Sequence, residues 1–340
     1  MYAARLDGWD STAFVEELRT CVSRVLYRRR VSVLRASERL LDLEETFIGR
    51  SVKKRSIAKT LEWVSGYGKP IQLFLSPKLG TPKRSITTSN EEIEKCGKII
   101  RDHKIRLFVH APYTIRLASE DDPTHVLLSN DLTVGGKMGA RGVVVHTASN
   151  TDDVSVSEAE DRMYRVVKKH LVYSTESCPI LLETPAKEGR ELVTTLKEFL
   201  SFYKRFSEEE RRLVRICVDT CHVFSAGYYP LDYLRCLHRE VPGAIALVHF
   251  NGSATRLGGG NDLHSWVWRA EARRNVSESR GWSDFEETVA ASPPWMRHRV
   301  DPDADHPVPK KKAHENVLPL HDLCRAAEWC KEHDIPTLFE

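Results

Sequence analysis

Eight short apolar runs punctuate the chain, spaced so that a helix fits between successive runs. They read TFIGR (46–50), IQLFLS (71–76), IRLFVH (105–110), GVVVHT (142–147), PILLET (179–184), VRICVDT (214–220), ALVHFN (246–251) and IPTLFE (335–340). The runs are continuous rather than alternating, the pattern of strands buried on both faces. Amphipathic stretches such as 161–174, 191–206 and 320–333 separate them. Eight strands alternating with helices predict a parallel (β/α)8 TIM barrel of the α/β class. An open doubly wound sheet is the alternative. The count of eight argues against it, as does the lack of a GxGxxG or GxxxxGK[ST] loop after a strand.

Two segments fall outside this pattern and set the expected organisation. Residues 1–45 read as a helical amino-terminal extension carrying Arg28, Arg29 and Arg30, and residues 46–340 as the barrel domain. An insertion at about 267–313 separates the seventh and eighth strands and holds Trp268, Trp282, Trp295, Lys310, Lys311 and Lys312. It is too long for an ordinary strand-to-helix loop. A nucleic-acid-facing segment, a nuclear-targeting signal and a solvated loop all fit its composition. A net charge of +3 permits nucleic-acid binding without arguing for it.

The first residues, MYAARLDGWDSTAFVEEL, lack the basic-then-apolar order of a secretory signal. No apolar run approaches the roughly 18 residues that span a bilayer. Eight cysteines are scattered without a CxxC pair, which predicts free thiols in a reducing compartment. The expectation is a soluble intracellular protein, nuclear or cytoplasmic, with no membrane partner.

The ends of the runs carry the chemistry. The strands read from these runs end in His110 (three), His146 (four), Glu183 (five), Asp219 (six), His249 (seven) and Glu340 (eight). A barrel brings all six to its carboxyl face, where active sites of this fold sit. His222 follows in the loop after run six, and Asp262 and His264 follow run seven. A single strand-tip histidine is more often a hydrogen-bonded structural group than a ligand, and a strand-tip carboxylate often caps the next helix. Six tips in succession are a different matter. Imidazoles and carboxylates without thiolates suit zinc, manganese or iron in a catalytic role, and nine groups exceed what one tetrahedral ion can use. Two or three ions are therefore expected. A carboxylate such as Glu183 could bridge a pair that clamps both oxygens of a phosphoryl displacement.

With these residues in view, the chain resembles the endonuclease IV family of apurinic/apyrimidinic endonucleases. The likeness is strongest at DTCHVFSAGY (219–228) and extends to HAPY (110–113), VVVHTAS (143–149), LLET (181–184), HFN (249–251) and LFE (338–340). The resemblance implies three zinc ions, with manganese as an option at one site. His110, His146 and Glu183 would hold the first; Glu183, Asp219, His249 and Glu340 the second; His222, Asp262 and His264 the third. It implies hydrolysis of the phosphodiester 5′ to an abasic site in double-stranded DNA, leaving a 3′-hydroxyl, by a monomer. Glu183 would act as the catalytic carboxylate, with Tyr113 and Lys78 contacting DNA.

The chain departs from that family's pattern at several points. Thr184 stands where an Asn is usual, HFNG (249–252) where HLND is usual, Leu263 where an Arg is usual, and Arg50 where a His often stands. The sequence ends on Glu340, where the family continues into an eighth helix. Either residues 11–45 supply a helix in that position or the sequence is a truncated chain. Two other functions stay open: a metal-dependent sugar isomerase or epimerase on the same barrel, and a non-catalytic binder of damaged DNA.

Overall fold

The computed structural model of the chain describes residues 32–52, 56–76, 78–79, 88–265, 267–280 and 317–340. Helix α1 (32–46) leads into β1 (Gly49–Ser51). Then follow α2 (Ile57–Val64), β2 (Ile71–Leu73), α3 (Asn90–Asp102), β3 (Leu107–His110), α4 (His125–Met138) and β4 (Val143–His146). The chain continues through α5 (Val156–His170), β5 (Ile180–Glu183), α6 (Leu196–Tyr203), α7 (Glu210–Leu213) and β6 (Val214–Asp219). Next come α8 (Thr220–Ser225), α9 (Pro230–Glu240) and β7 (Ile245–His249). A small antiparallel hairpin of β8 (Gly252–Ser253) and β9 (His264–Ser265) precedes α10 (Val267–Arg280), α11 (Leu320–Glu332) and β10 (Thr337–Phe339).

Eight of these strands close a barrel in the order β1-β10-β7-β6-β5-β4-β3-β2, every pair parallel. The (β/α)8 expectation therefore holds. The strands are shorter than the apolar runs, for local reasons. The amides of Phe47 and Ile48 bond back to the Leu43 carbonyl and close α1, so the first strand begins only at Gly49. Gly49 is required there: a Cβ would lie 1.7 Å from the Pro70 carbonyl oxygen. The amphipathic stretch from residue 191 becomes helical only at Leu196, because Thr195 and Glu198 form a reciprocal capping box.

Side chains alternate across the barrel wall. Outward residues such as Val109, Val143, Val145, Leu182 and Val218 join the main core beneath the helices. Inward residues Phe108, Val144, Leu181, Cys217, Ala246, Leu247 and Leu338 form a separate apolar plug. Two positions further along the same strands stand His110, His146, Glu183, Asp219, His249 and Glu340. One irregularity matters. The pairing of β6 with β7 shifts between Ile216 and Cys217, from Ile216 opposite Ile245 to Cys217 opposite Leu247. That single-residue bulge sets Asp219 opposite His249; an unshifted ladder would oppose it to Val248 and turn the imidazole out of the barrel.

Helix α1 packs at the seam of β1 and β10, burying Ala36, Leu40 and Leu43. Arg39 pairs with Glu328 of α11 at 3.1 Å, and Lys331 reaches Thr46 at 3.4 Å. Lys69 donates to the carbonyls of Glu44 and Glu45, neutralising the carboxyl end of α1. Burial pushes the Lys69 ammonium down to about 8. Helix α10 lies on α1: Arg269 pairs with Glu44 and stacks 5.1 Å over Phe339, Ala272 is buried, and Asn275 donates to Ser37 at 3.0 Å. The start of the predicted insertion is thus a packed helix. Residues 281–316, with Trp282, Trp295 and Lys310–Lys312, lie outside the described residues, as do Arg28–Arg30 and the Trp268 side chain. All seven described cysteines are free thiols. Among the described residues no helix is long and apolar enough to cross a membrane.

Candidate metal centre

Nine side chains meet at the carboxyl end of the barrel, and three structural devices bring them there. Strand alternation delivers His110, His146, Glu183, Asp219, His249 and Glu340. The turn after β6 delivers His222: the Asp219 Oδ1 accepts the amides of Cys221 (2.7 Å) and His222 (3.0 Å), capping α8. The β8–β9 hairpin folds Asp262 and His264 back over the mouth. Asp219 thus caps a helix with one oxygen and faces the cluster with the other. Its Oδ2 lies 3.8 Å from His249 Nδ1 and 3.6 Å from His264 Nε2.

Glu183 occupies the centre. Its Oε1 lies 2.7 Å from His249 Nδ1, and its Oε2 lies 3.3 Å from His110 Nε2 and 3.2 Å from His146 Nε2. Glu340 approaches His110 at 3.3 Å and His249 at 3.0 Å. Asp262 approaches His222 and His264, each at 3.1 Å. Donor atoms of four groups (His110, Glu183, His249, Glu340) lie within 4.8 Å of one another, as do those of Asp219, His222 and His264. Cys221, Asp262 and His264 form a further such set, although burial pushes the Cys221 thiol up to about 12 and so keeps its proton on. His146 stands somewhat apart, with about a third of its side chain exposed (35%).

These spacings fit a metal. Two ligands of one tetrahedral zinc, each about 2.0–2.1 Å from the ion, are separated by about 3.3 Å. The nitrogens of His146 and His222 that face Glu183 and Asp262 are buried yet have no hydrogen-bond partner, despite the 3.2 and 3.1 Å approaches. Donor and acceptor lie close together without pointing at one another, the disposition of two atoms aimed at a common third. An all-imidazole and carboxylate donor set suits zinc in a catalytic site.

The chain also fixes which ring nitrogen faces the cluster. His110 Nδ1 donates to the Ala111 carbonyl (2.7 Å) and His222 Nδ1 to the Thr184 carbonyl (2.8 Å), which turns the other nitrogen of each ring inward. His249 is the inverse case, with Nε2 on the Gln72 Oε1 (2.9 Å) and Nδ1 facing inward. Asn251 donates to the Asp219 Oδ2 at 2.6 Å, and its Oδ1 accepts the Glu340 amide at 3.3 Å. Thr184 Oγ1 accepts the Asp219 amide at 3.0 Å, so the departure from Asn at this position leaves a working acceptor. Glu188 accepts the Asp262 amide at 3.1 Å.

Burial raises the carboxyl of Glu183, but the charges of His249 and His146 outweigh it and hold the group well below the usual carboxylate range. Glu340, buried beside His249 and His110, and Asp262, buried beside His222, are depressed in the same way. Burial works against charge on His222 too, yet Asp219 and Asp262 hold it well above the ordinary histidine range.

Tyr113 and Lys78 stand together at the rim. The Tyr113 hydroxyl donates to Glu340 at 3.1 Å, while its ring is 42% exposed. The Lys78 ammonium lies 5.6 Å from the Tyr113 ring centre and 4.9 Å from that of Phe74. Leu263, at the position of the missing Arg, is exposed. Arg50 faces away from this rim, pairing in register with the outward Phe339 and donating to Tyr67 at 3.2 Å. Sequence reasoning overlooked Gln72, Asn251 and Glu188 as supports. Gln72 and Asn251 lay inside quoted runs, and a polar residue at an inward position of a buried strand was the available signal.

Residues 71–292 match the family described as xylose isomerase-like TIM barrel. A protein of Acanthamoeba polyphaga mimivirus whose name places it with endonuclease 4 is 26% identical over 256 residues, covering 69% of this chain and 81% of its own length. A probable endonuclease 4 of Symbiobacterium thermophilum is 31% identical over 176 residues; the match takes in 49% of this chain and 63% of that protein, less than two thirds of its length. The crystal structure of endonuclease IV from Thermus thermophilus superposes with a TM-score of 0.53 at 22% identity, over 68% of this chain and 86% of that one, a likeness of fold. The chain belongs to the xylose isomerase-like TIM barrel family and, within it, to the endonuclease IV family.

Proposed function

We propose that the protein is a zinc-dependent DNA-repair endonuclease that cleaves the phosphodiester 5′ to an abasic site and leaves a 3′-hydroxyl. The observation that carries this reading is the convergence of six inward strand tips, with three further groups, around the buried carboxylate of Glu183. His110, His146 and Glu183 would hold one ion, Glu183, Asp219, His249 and Glu340 a second, and His222, Asp262 and His264 a third. Bound there, the ions would supply an activated water at neutral pH and electrostatic stabilisation of the phosphoryl group.

The side chains divide the remaining work. Glu183 is held ionised with both oxygens shared among imidazoles, which makes it a weak proton acceptor. Its part would be to help hold two of the ions and to orient what they bind. Tyr113 has its hydroxyl tied to Glu340 and a part-exposed side chain that would pack on a deoxyribose lacking its base. Lys78 places a cation beside that ring, in reach of a phosphate. Leu263 offers an apolar contact where a guanidinium is usual, so the grip on DNA differs from that of the family pattern.

A labelled duplex carrying one abasic-site analogue tests the reading. Cleavage by wild type on the 5′ side of the analogue alone, reduced about 10³-fold or more in Glu183→Gln, is the expected result. The family's description also names xylose isomerase-like barrels, which makes sugar isomerisation the second reading. Aldose–ketose interconversion without cleavage would select it. Salt-dependent binding to the duplex without cleavage would select a non-catalytic binder.

A further inference from the structure

A polar residue stands beside the apolar plug beneath the metal centre. Gln72 pairs in register with Phe108 of the plug and, like it, is completely buried. Its Oε1 accepts from His249 Nε2 at 2.9 Å, while its Nε2 is buried with no hydrogen-bond partner. An amide satisfied at one end only is a poor stabiliser of an apolar interior. What it does is specific. The other imidazoles whose far nitrogen is fixed, His110 and His222, rest on backbone carbonyls and face the cluster through Nε2. His249 alone rests on a side chain and faces Glu183 and Glu340 through Nδ1. No backbone carbonyl takes its place, since the register shift in β6–β7 has turned His249 fully into the barrel.

We infer that Gln72 is a positioning residue that selects the tautomer and ring orientation of His249 and thereby sets how firmly the ion between Glu183, His249 and Glu340 is held. The inference deepens the proposed function and rests on its metal-binding reading. A proton kept at Nε2 by the amide oxygen leaves the Nδ1 lone pair directed at the carboxylates. Without an acceptor at residue 72 the ring is free to exchange tautomers and to rotate, and the ligand is lost part of the time. Outer partners of this kind typically change metal affinity about 10–100-fold.

The test compares wild type, Gln72→Met, which keeps the length but removes the acceptor, and Gln72→Glu, which keeps an acceptor. Each is loaded with zinc and challenged with a chelator, and release is followed ion by ion. Ring nitrogen shifts of His249 are read by long-range proton–nitrogen correlation. The expected result is release of one ion about 10–100-fold faster in Gln72→Met, near-wild-type release in Gln72→Glu, and loss of the single Nδ1-ligating tautomer in Gln72→Met alone. Metal-free Gln72→Met should melt within a few degrees of wild type, which separates positioning from packing. Wild-type release from Gln72→Met, or equal loss in both variants, overturns the inference while leaving the proposed function intact. A wild-type protein that takes up no zinc overturns the metal reading itself, and this inference with it.

Discussion

Two inward layers of the barrel sit two residues apart on the same strands and do opposite work. The lower layer, Phe108, Val144, Leu181, Cys217, Leu247 and Leu338, is apolar and buried. The upper layer, His110, His146, Glu183, Asp219, His249 and Glu340, concentrates charge largely out of solvent, with His110, Asp219 and His249 fully buried, Glu183 1% exposed and His146 the more open member. Buried charge is costly unless paired or bound to metal. The upper layer is tolerable because the lower one, and the ladder around both, holds its groups in fixed register. Chemistry and stability are thus separated by one period of the strand.

The sharpest way to break that contrast is to mutate both layers of β5. Glu183→Gln should lower cleavage about 10³-fold or more in protein that still folds, while the metal-free form loses some stability because His249 and His146 lose a buried charge partner. Leu181→Ala, two residues earlier, should cost about 2–5 kcal/mol of stability by denaturant titration while each folded molecule keeps its activity. If Leu181→Ala abolished activity in fully folded protein, the two layers would not be separable.

Leu40→Ala in α1 extends the comparison to the barrel seam. About 2–4 kcal/mol of stability should be lost with zinc content unchanged, since Leu40 is fully buried but lies in the outer core, away from the ligands. Loss of zinc in a protein that stays folded would show that α1 shapes the site.

Protons should compete with metal for the upper layer. In the metal-free protein, burial works against charge on His146, His222 and His264, yet neighbouring carboxylates raise all three. Their stabilising pairs are fully present below about pH 6.5 and fade as pH rises through the folded values. Glu183, Glu340 and Asp262 are lowered, so their contribution is present above about pH 4.5 and fades as pH falls. Metal must displace protons from the imidazoles, so the melting-temperature gain from zinc should grow from about pH 6 to pH 8. A gain independent of pH would mean that the histidines are not ligands.

The smallest effect is expected at the rim. Tyr113→Phe removes a hydrogen bond to Glu340 and should lower kcat by about 10-fold or less, with KM and stability nearly unchanged. A larger rise in KM than fall in kcat would assign the hydroxyl to substrate binding instead.

The barrel and the six strand-tip groups were legible because both obey simple periods; His222, Asp262 and His264 lie off the barrel strands and have no such period. Continuous apolar runs marked the strands, and a polar residue ending six of them marked the carboxyl face. The supports were not legible, since they depend on contacts between distant segments. Gln72 reaches His249 across 177 residues and Asn251 reaches Asp219 across 32. The bulge at Ile216 and Cys217 leaves no mark in composition, yet it decides that His249 faces inward. The seam helix was expected over 11–45. The described helix at 32–46 lies against α11, as that expectation requires, and residues 11–31 lie outside the described residues.

The central claim is that the upper layer is a metal cluster built around Glu183. Native mass spectrometry of the purified protein, wild type beside Glu183→Gln, tests it most directly. The account predicts about three zinc ions per wild-type chain and fewer in the variant, with both folded. A folded wild-type chain that carries no zinc after incubation with excess metal, or a variant with an unchanged count, would contradict it.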